Sequence, residues 1–371
     1  MACGIGDILM FIGYTWRLAV ILCLIVMLLV GIMPRIGATQ PASVVTYVRR
    51  DAIIDSYHLY LLDVNYRLSM RLTYFDQSNT QPAWSPDGRY LLFRAGGDFN
   101  FTTGRNRTRR IFQMNFLTYT QRLLTTNGRE VNEDSPSWSP TGRIAYAIYQ
   151  SGHWDIALTH PNSAQTQLVS ASPAQSYMNT PANEHTPRWS PDGTHIAYLV
   201  GGDFVNEIAL ADANGMNARI LTTGMRVLAG EFDWSPSGTH IVFTSQRDGN
   251  IEIYMVNIAN GALINLSRHP REDFYPKWSP NNDEIAFIST RNGGQHLFIM
   301  TMDGGNIRQI THGNMSVSHV NWSPDGQWLV YSAAPTYRYN RYLFVISTDG
   351  GQPRQLTFSS DDDFLPIWKP K

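Results

Sequence analysis

The stretch RWSPDGTHIAYL, Arg188 to Leu199, ends one apolar run on a tryptophan, passes through Ser-Pro-Asp-Gly and enters a second run of β character. Pro presets φ near −65° at the second position of a turn and Asp-Gly completes it, so the stretch reads as two strands joined by a tight hairpin. Nearly the same words recur: AWSPDGRYLLF from Ala83, SWSPTGRIAYA from Ser137, DWSPSGTHIVF from Asp233, KWSPNNDEIAF from Lys277 and NWSPDGQWLVY from Asn321. The motif tryptophans are Trp84, Trp138, Trp189, Trp234, Trp278, Trp322 and, in FLPIWKPK, Trp368, at separations of 54, 51, 45, 44, 44 and 46 residues.

A period near 45 residues with four strand-like runs per unit is the signature of a β-propeller, each unit forming one four-stranded blade. The unit around Trp278 shows it in FYPKW, EIAFIST, QHLFIMTM and IRQIT, with the glycines of DGGN turning the third run into the fourth. A large apolar indole repeated once per unit serves to pack neighbouring blades, which cannot bury their faces alone. The seven tryptophans are therefore assigned to structure and not to an aromatic ligand platform. Six motifs each lead a full unit, while FLPIWKPK supplies one first strand only. The region before Trp84 lacks a first strand but holds three others, VVTYV, HLYLLDV and SMRLT. The expectation is an all-β, seven-bladed propeller over residues 41–371, closed by the C-terminal strand joining the N-terminal three; six blades is the alternative. Closure removes exposed sheet edges.

Composition agrees with a folded β protein. Of the 371 residues, 43% are hydrophobic, 12% aromatic and 16% charged, with 29 Gly and 20 Pro. A net charge of −1 argues against a general nucleic-acid binder, which needs a basic excess. Both cysteines, Cys3 and Cys23, precede Pro34, so a disulfide framework or Cys-based zinc site has no ligands in the body. Leu18 to Met33 is an uncharged run of 16 residues. As a helix it spans about 24 Å, slightly short of a ~30 Å hydrocarbon core. Residues 1–40 thus read as a single-pass membrane anchor with its linker, or as a signal peptide cleaved near Ala38.

The pattern of an acidic residue, a Pro, W-S-P-D-G, an apolar strand and then DG…LT resembles the WD40-like propeller repeats of the TolB-like family. This chain carries it as EDSPSWSP, REDFYPKWSP, IVFTSQRDG, TMDGGNIRQIT and STDGGQPRQLT, over almost everything from Val44 to Lys371. The resemblance implies a propeller working outside the cytoplasm on a protein or peptide partner in the cell envelope. The named periplasmic member of that family carries six blades and a separate N-terminal α/β domain. Only about ten residues, Pro34 to Ser43, separate the apolar run from the first strand here. Related propellers precede the hydrolase domain of prolyl-oligopeptidase-type enzymes, but G-x-S-x-G is absent from this sequence.

Motifs that carry chemistry are few. The sequence has no H-E-x-x-H and no phosphate-binding G-x-x-x-x-G-K-[ST], and no cofactor or metal is expected. Five residues before the motif Trp stand Glu133, Glu184, Asp273 and Asp363. Entering first strands, they are candidates for a partial acidic ring at the channel mouth, taking a cation, a basic segment or, as paired carboxylates, a glycan; the competing reading is carboxylates capping their own loops. On the same face, loops between second and third strands present Arg105, Arg107 and Arg109, then His153 and Trp154, then Tyr337, Arg338 and Tyr339. These are types that anchor partners. The leading expectation is a non-enzymatic, rigid binding scaffold; the alternative is a small-ligand, glycan-binding or hydrolytic propeller.

Overall fold

A computed structural model of the chain describes residues 44–371 apart from 53–54, 75–76, 98, 101–104, 107, 126–130, 164, 170–182, 202–205, 282 and 337–339. The chain divides into two units between Gln40 and Pro41. In the second, every regular element among the described residues is a β-strand. The Trp278 unit is typical: Asp273–Trp278 pairs with Glu284–Ser289, that strand with His296–Thr301, and that with Arg308–Gln309, all antiparallel. The other units repeat this order, and those of Trp189 and Trp234 join into one eight-stranded sheet through the Asn206–Val227 pairing. The fold is a propeller-like stack of sheets. Among the described residues no helix is long and apolar enough to cross a membrane; the run 18–33 lies outside them.

The repeated hairpin owes its constancy to its own side chains. Ser85, Ser190 and Ser323 each accept, through Oγ, the backbone N–H five residues on, at 2.9 Å. The Ser85 and Ser190 hydroxyls donate in turn to Asp87 and Asp192 at 2.6 Å. The Gly88 and Gly193 N–H groups close the turn on the serine carbonyls at 2.9 Å, with φ of 63° and 72° that a side chain would oppose. The serine bonds hold the Asp87 and Asp192 carboxyls below their ordinary range. Ser, Pro, Asp and Gly thus each satisfy a separate demand of one turn.

Six of the motif tryptophans are only 5–8% exposed, and Trp138 is partly buried. Four reach sideways: the indole Nε1–H of Trp138, Trp234, Trp322 and Trp368 donates to the carbonyl of Ala83, Arg188, Lys277 and Asn321 at 3.2, 3.1, 2.9 and 3.3 Å. Each acceptor immediately precedes the tryptophan of the unit before. Burial of an indole is worth several kcal/mol against about 1 kcal/mol for the bond. Burial therefore holds the sheets together and the bond sets their register.

Apolar clusters fill the space between consecutive sheets. Val242, Ile253 and Leu266 meet Trp278, Ile285 and Phe298 in one; Ile288 and Ile299 meet Trp322, Leu329 and Tyr331 in the next. The last described strand returns to the first: Asp362–Trp368 pairs with Val44–Asp51, putting Trp368 against Val345 and Leu356 on one side. On the other side Phe364, Leu365 and Ile367 pack on the cluster of Val48, Trp84 and Phe93.

Candidate functional site

The acids five residues before the tryptophans are buried, not exposed at a mouth: Glu133, Asp273 and Asp363 are 0% and Glu184 2% exposed. Their place on the first strand puts them between that strand and its neighbours, where donors are waiting. Asp363 takes Arg49 Nε and Nη2 at 2.6 and 2.9 Å, and the two residues face each other across the closing pair. Asp273 takes Arg291 Nη2 at 2.9 and 3.0 Å. Glu133 accepts the Ile111 N–H at 3.1 Å, the Arg110 Nε–H at 3.4 Å and the Thr125 hydroxyl. Burial and the Glu184 charge push the Tyr198 phenol up. Three of the four thus clasp a largely buried arginine.

Of the loop candidates, Arg105 begins the two-residue strand Arg105–Asn106, and Arg107, Tyr337, Arg338 and Tyr339 lie outside the described residues. Arg109 Nη1 and Arg94 Nη1 share Asp134 Oδ2 at 3.0 and 3.2 Å, leaving Arg109 41% exposed. His153 Nε2 lies 3.1 Å from Asp155, and the Trp154 ring packs 5.4 Å from Tyr149. Trp154 N–H and Arg109 N–H donate to Asn183 and Asn132, each opening the next unit's first strand.

A further group becomes visible only in three dimensions. Each first strand breaks register just before its tryptophan, as between Asp134 and Ser137, His185 and Arg188, and Phe274 and Lys277. Three residues before the tryptophan, Gln81, Ser135, Thr186, Tyr275, His319 and Leu365 have φ of 53°, 51°, 55°, 55°, 35° and 50°; the Trp234 unit instead has Gly230 at 77°. Left-handed backbone costs a non-glycine residue about 1 kcal/mol or more. The bulge re-aims the residues one and three before each tryptophan toward the neighbouring first strand. Gln81 accordingly accepts the Ser135 N–H at 2.8 Å, Glu231 the Tyr275 N–H at 3.2 Å and Asp233 the Trp278 N–H at 3.0 Å.

Along the Trp189 to Trp322 first strands these positions form a polar and aromatic wall, flanked on the Trp368 strand by Asp362 and Phe364. Arg188 stands 4.0 Å from Asp233 and over the Phe232 ring. The His319 ring lies 5.6 Å from Tyr275 and 6.1 Å from Phe364. Arg341 binds Asp362 at 2.8 and 2.5 Å and stacks 4.3 Å from the Phe364 centroid. Burial, opposed by Asp233 and aided by Arg188, lowers the Lys277 ammonium to about 8. Burial pushes the Glu231 carboxyl up. Burial and Arg341 lower the His319 imidazole to about 4. Among the described residues, no three His, Cys, Asp or Glu side chains are grouped to hold a metal ion. The sequence did carry a signal for this wall: the residue before the tryptophan is Ala83, Ser137, Arg188, Asp233, Lys277, Asn321 and Ile367, a repeated position with no repeated residue.

The His319 shift gives a pH test. The unfolded chain takes up a proton near 6.5 whereas the folded one waits until about 4, so the contribution is full above 6.5 and lost as pH falls toward 4. Urea unfolding at pH 7 and pH 4.5 is expected to differ by roughly 1–3 kcal/mol more in the wild type than in His319→Gln. Equal pH dependence in the two proteins would place His319 in water.

The TolB beta propeller domain family matches residues 172–371. The Tol-Pal system protein TolB of Hydrogenovibrio crunogenus is 29% identical over 121 residues, which is 32% of this chain and 23% of that protein. Among solved structures, TolB from Acinetobacter baumannii superposes with a TM-score of 0.55 at 19% identity, covering 89% of this chain and 67% of that one. An oligogalacturonate lyase in complex with manganese gives 0.62 at 14% identity, covering 80% and 84%. At these identities the structural likenesses speak for the fold alone.

Proposed function

This chain belongs to the TolB beta propeller domain family, and from that premise we propose that it is a non-enzymatic, seven-bladed propeller binding a protein or peptide partner in the cell envelope. The site is the wall formed by Arg188, Glu231, Asp233, Tyr275, Lys277 and His319. One observation carries the reading: around a strand bulge placed alike in six of the seven units, the side chains one and three before the tryptophan differ from unit to unit. A position under stacking constraint alone would repeat its residue as the tryptophan does. A rigid frame presenting unlike charged and aromatic groups loses little entropy on docking a partner. The 41%-exposed Arg109 and the partly buried Trp154 extend the contact surface. The family resemblance, with the apolar run 18–33 as tether or cleaved signal, supports a propeller working outside the cytoplasm. The match to an envelope-system protein supports this placement.

The experiment is quantitative affinity capture from envelope extracts with the full chain and with Tyr275→Ala/His319→Ala. The double variant is expected to retain a cooperative unfolding transition and to lose at least about tenfold of the captured partner, as aromatic anchors do when truncated. Equal capture by both proteins would move the site off this wall.

A further inference from the structure

Within the wall, Lys277 is an anomaly. The chain has three lysines, and the other two, Lys369 and Lys371, are at its C-terminal end. Lys277 sits on the first strand Asp273–Trp278, partly buried, among Asp233 and Glu231 of the preceding unit, Arg188 of the one before and His319 of the following one. Its ammonium has three donors. Among the described residues it makes no hydrogen bond and no ion pair within 4.0 Å. The nearby acids are already engaged: Asp233 with the Trp278 N–H and, at 4.0 Å, Arg188, and Glu231 with the Tyr275 N–H. The three N–H groups of this partly buried ammonium are therefore spent on nothing inside the protein and stand open to an acceptor arriving from outside.

We infer that Lys277 is the recognition point for a carboxylate on the bound partner, which enters the wall and accepts hydrogen bonds from the lysine ammonium. A monoanion suits the place better than a phosphate dianion, which would meet Asp233 and Glu231 at close range. The inference rests on the wall being the binding surface. The carboxylate comes from an acidic side chain or from a chain terminus; the chemistry is shared and the test separates the two.

The full chain is treated with an amine-acetylating ester at about pH 7.5, and the acetylation rate of each lysine is followed by mass spectrometry. Three peptides are added in turn: a blocked, amidated Gly-Glu repeat, an acetylated Gly-Ser repeat with a free C-terminal carboxylate, and a blocked, amidated Gly-Gln repeat. Lys277 is expected to be protected by the first or the second, according to the source, and not by the third, with Lys371 unaffected throughout. Peptide affinity is expected to fall by about tenfold or more in Lys277→Met, the size of a hydrogen bond to a charged group, and to be unchanged in Lys371→Met. In the wild type it should weaken as pH rises through about 8, where the ammonium loses its charge. Lys277 acetylation unaltered by both carboxylate peptides, or undiminished affinity in Lys277→Met, overturns the assignment. Partner capture by wild type and Lys277→Met alike would leave the envelope-binding reading standing and remove only this site. Capture by neither, with peptide protection intact, would do the reverse.

Discussion

A chain ending at Ser360 is expected not to fold at all: no cooperative transition by urea or heat, and recovery in the insoluble fraction. The deletion removes the strand Asp362–Trp368, the partner of Val44–Asp51. It also takes Trp368 out of one inter-sheet cluster and Phe364, Leu365 and Ile367 out of the contacts with the next. Four apolar side chains at roughly 1.5–3 kcal/mol each come to about 6–10 kcal/mol once partial exposure is allowed for. That is comparable with the whole stability of a typical domain, ~5–15 kcal/mol. The loss is also cooperative, because the Val44–Asp51 edge becomes an unpaired template for aggregation. Adding residues 361–371 back as a synthetic peptide should restore a folded, soluble complex. A truncated chain that unfolds with the wild-type midpoint would mean that the terminal pairing contributes nothing, and that the sheets stand without closure.

How much of this was legible beforehand depends on the range of the interaction responsible. The Ser-Pro-Asp-Gly turn is local: Ser190, Asp192 and Gly193 contact one another within a few residues, so a string of letters carries it whole. The tryptophan spacing is periodic, so sheet order and the return of the C-terminal strand follow from counting. The acids at 133, 184, 273 and 363 were visible as a pattern but open in meaning. Whether Asp363 meets solvent or Arg49 depends on a residue 314 positions away in sequence. The wall was missed for a related reason. Strict alternation along KWSP-type strands does not anticipate a left-handed Tyr275 or His319, and the bulge there decides which side chains turn toward the neighbouring strand. Pro follows most of these residues, at 82, 136, 187, 276 and 366, and ordinarily disfavours such backbone. That conflict, repeated five times, is the trace a reader of the sequence could have used.

The second large effect concerns the buried pair that spans the closure. Arg49 and Asp363 are 13% and 0% exposed at their side chains and share two bonds, at 2.6 and 2.9 Å. The guanidinium also lies 4.6 Å over the Tyr60 ring. Burial opposes its charge, yet the Asp363 bond and nearby phenols lift Arg49 above its ordinary range. Arg49→Met alone strands a buried carboxylate between the closing strands and is expected to cost about 3–5 kcal/mol in urea unfolding. Asp363→Leu strands the guanidinium and should cost a similar amount. The double variant should be far less damaged than the sum of the two, with a coupling of about 2–3 kcal/mol, because replacing both charges by apolar groups leaves nothing unpaired. Arg50 and Asp55 form the control on the same hairpin: 47% and 72% exposed, they should leave the urea midpoint unchanged in Arg50→Met. If the two Arg49 and Asp363 losses simply add, the residues act separately, and the acid five positions before the last tryptophan is no clasp. If they couple, the same cycle at Arg291 and Asp273, where the bonds are 2.9 and 3.0 Å, should repeat the result away from the closure. Charge at that position would then be a means of joining strands, leaving recognition to the residues one and three before the tryptophan.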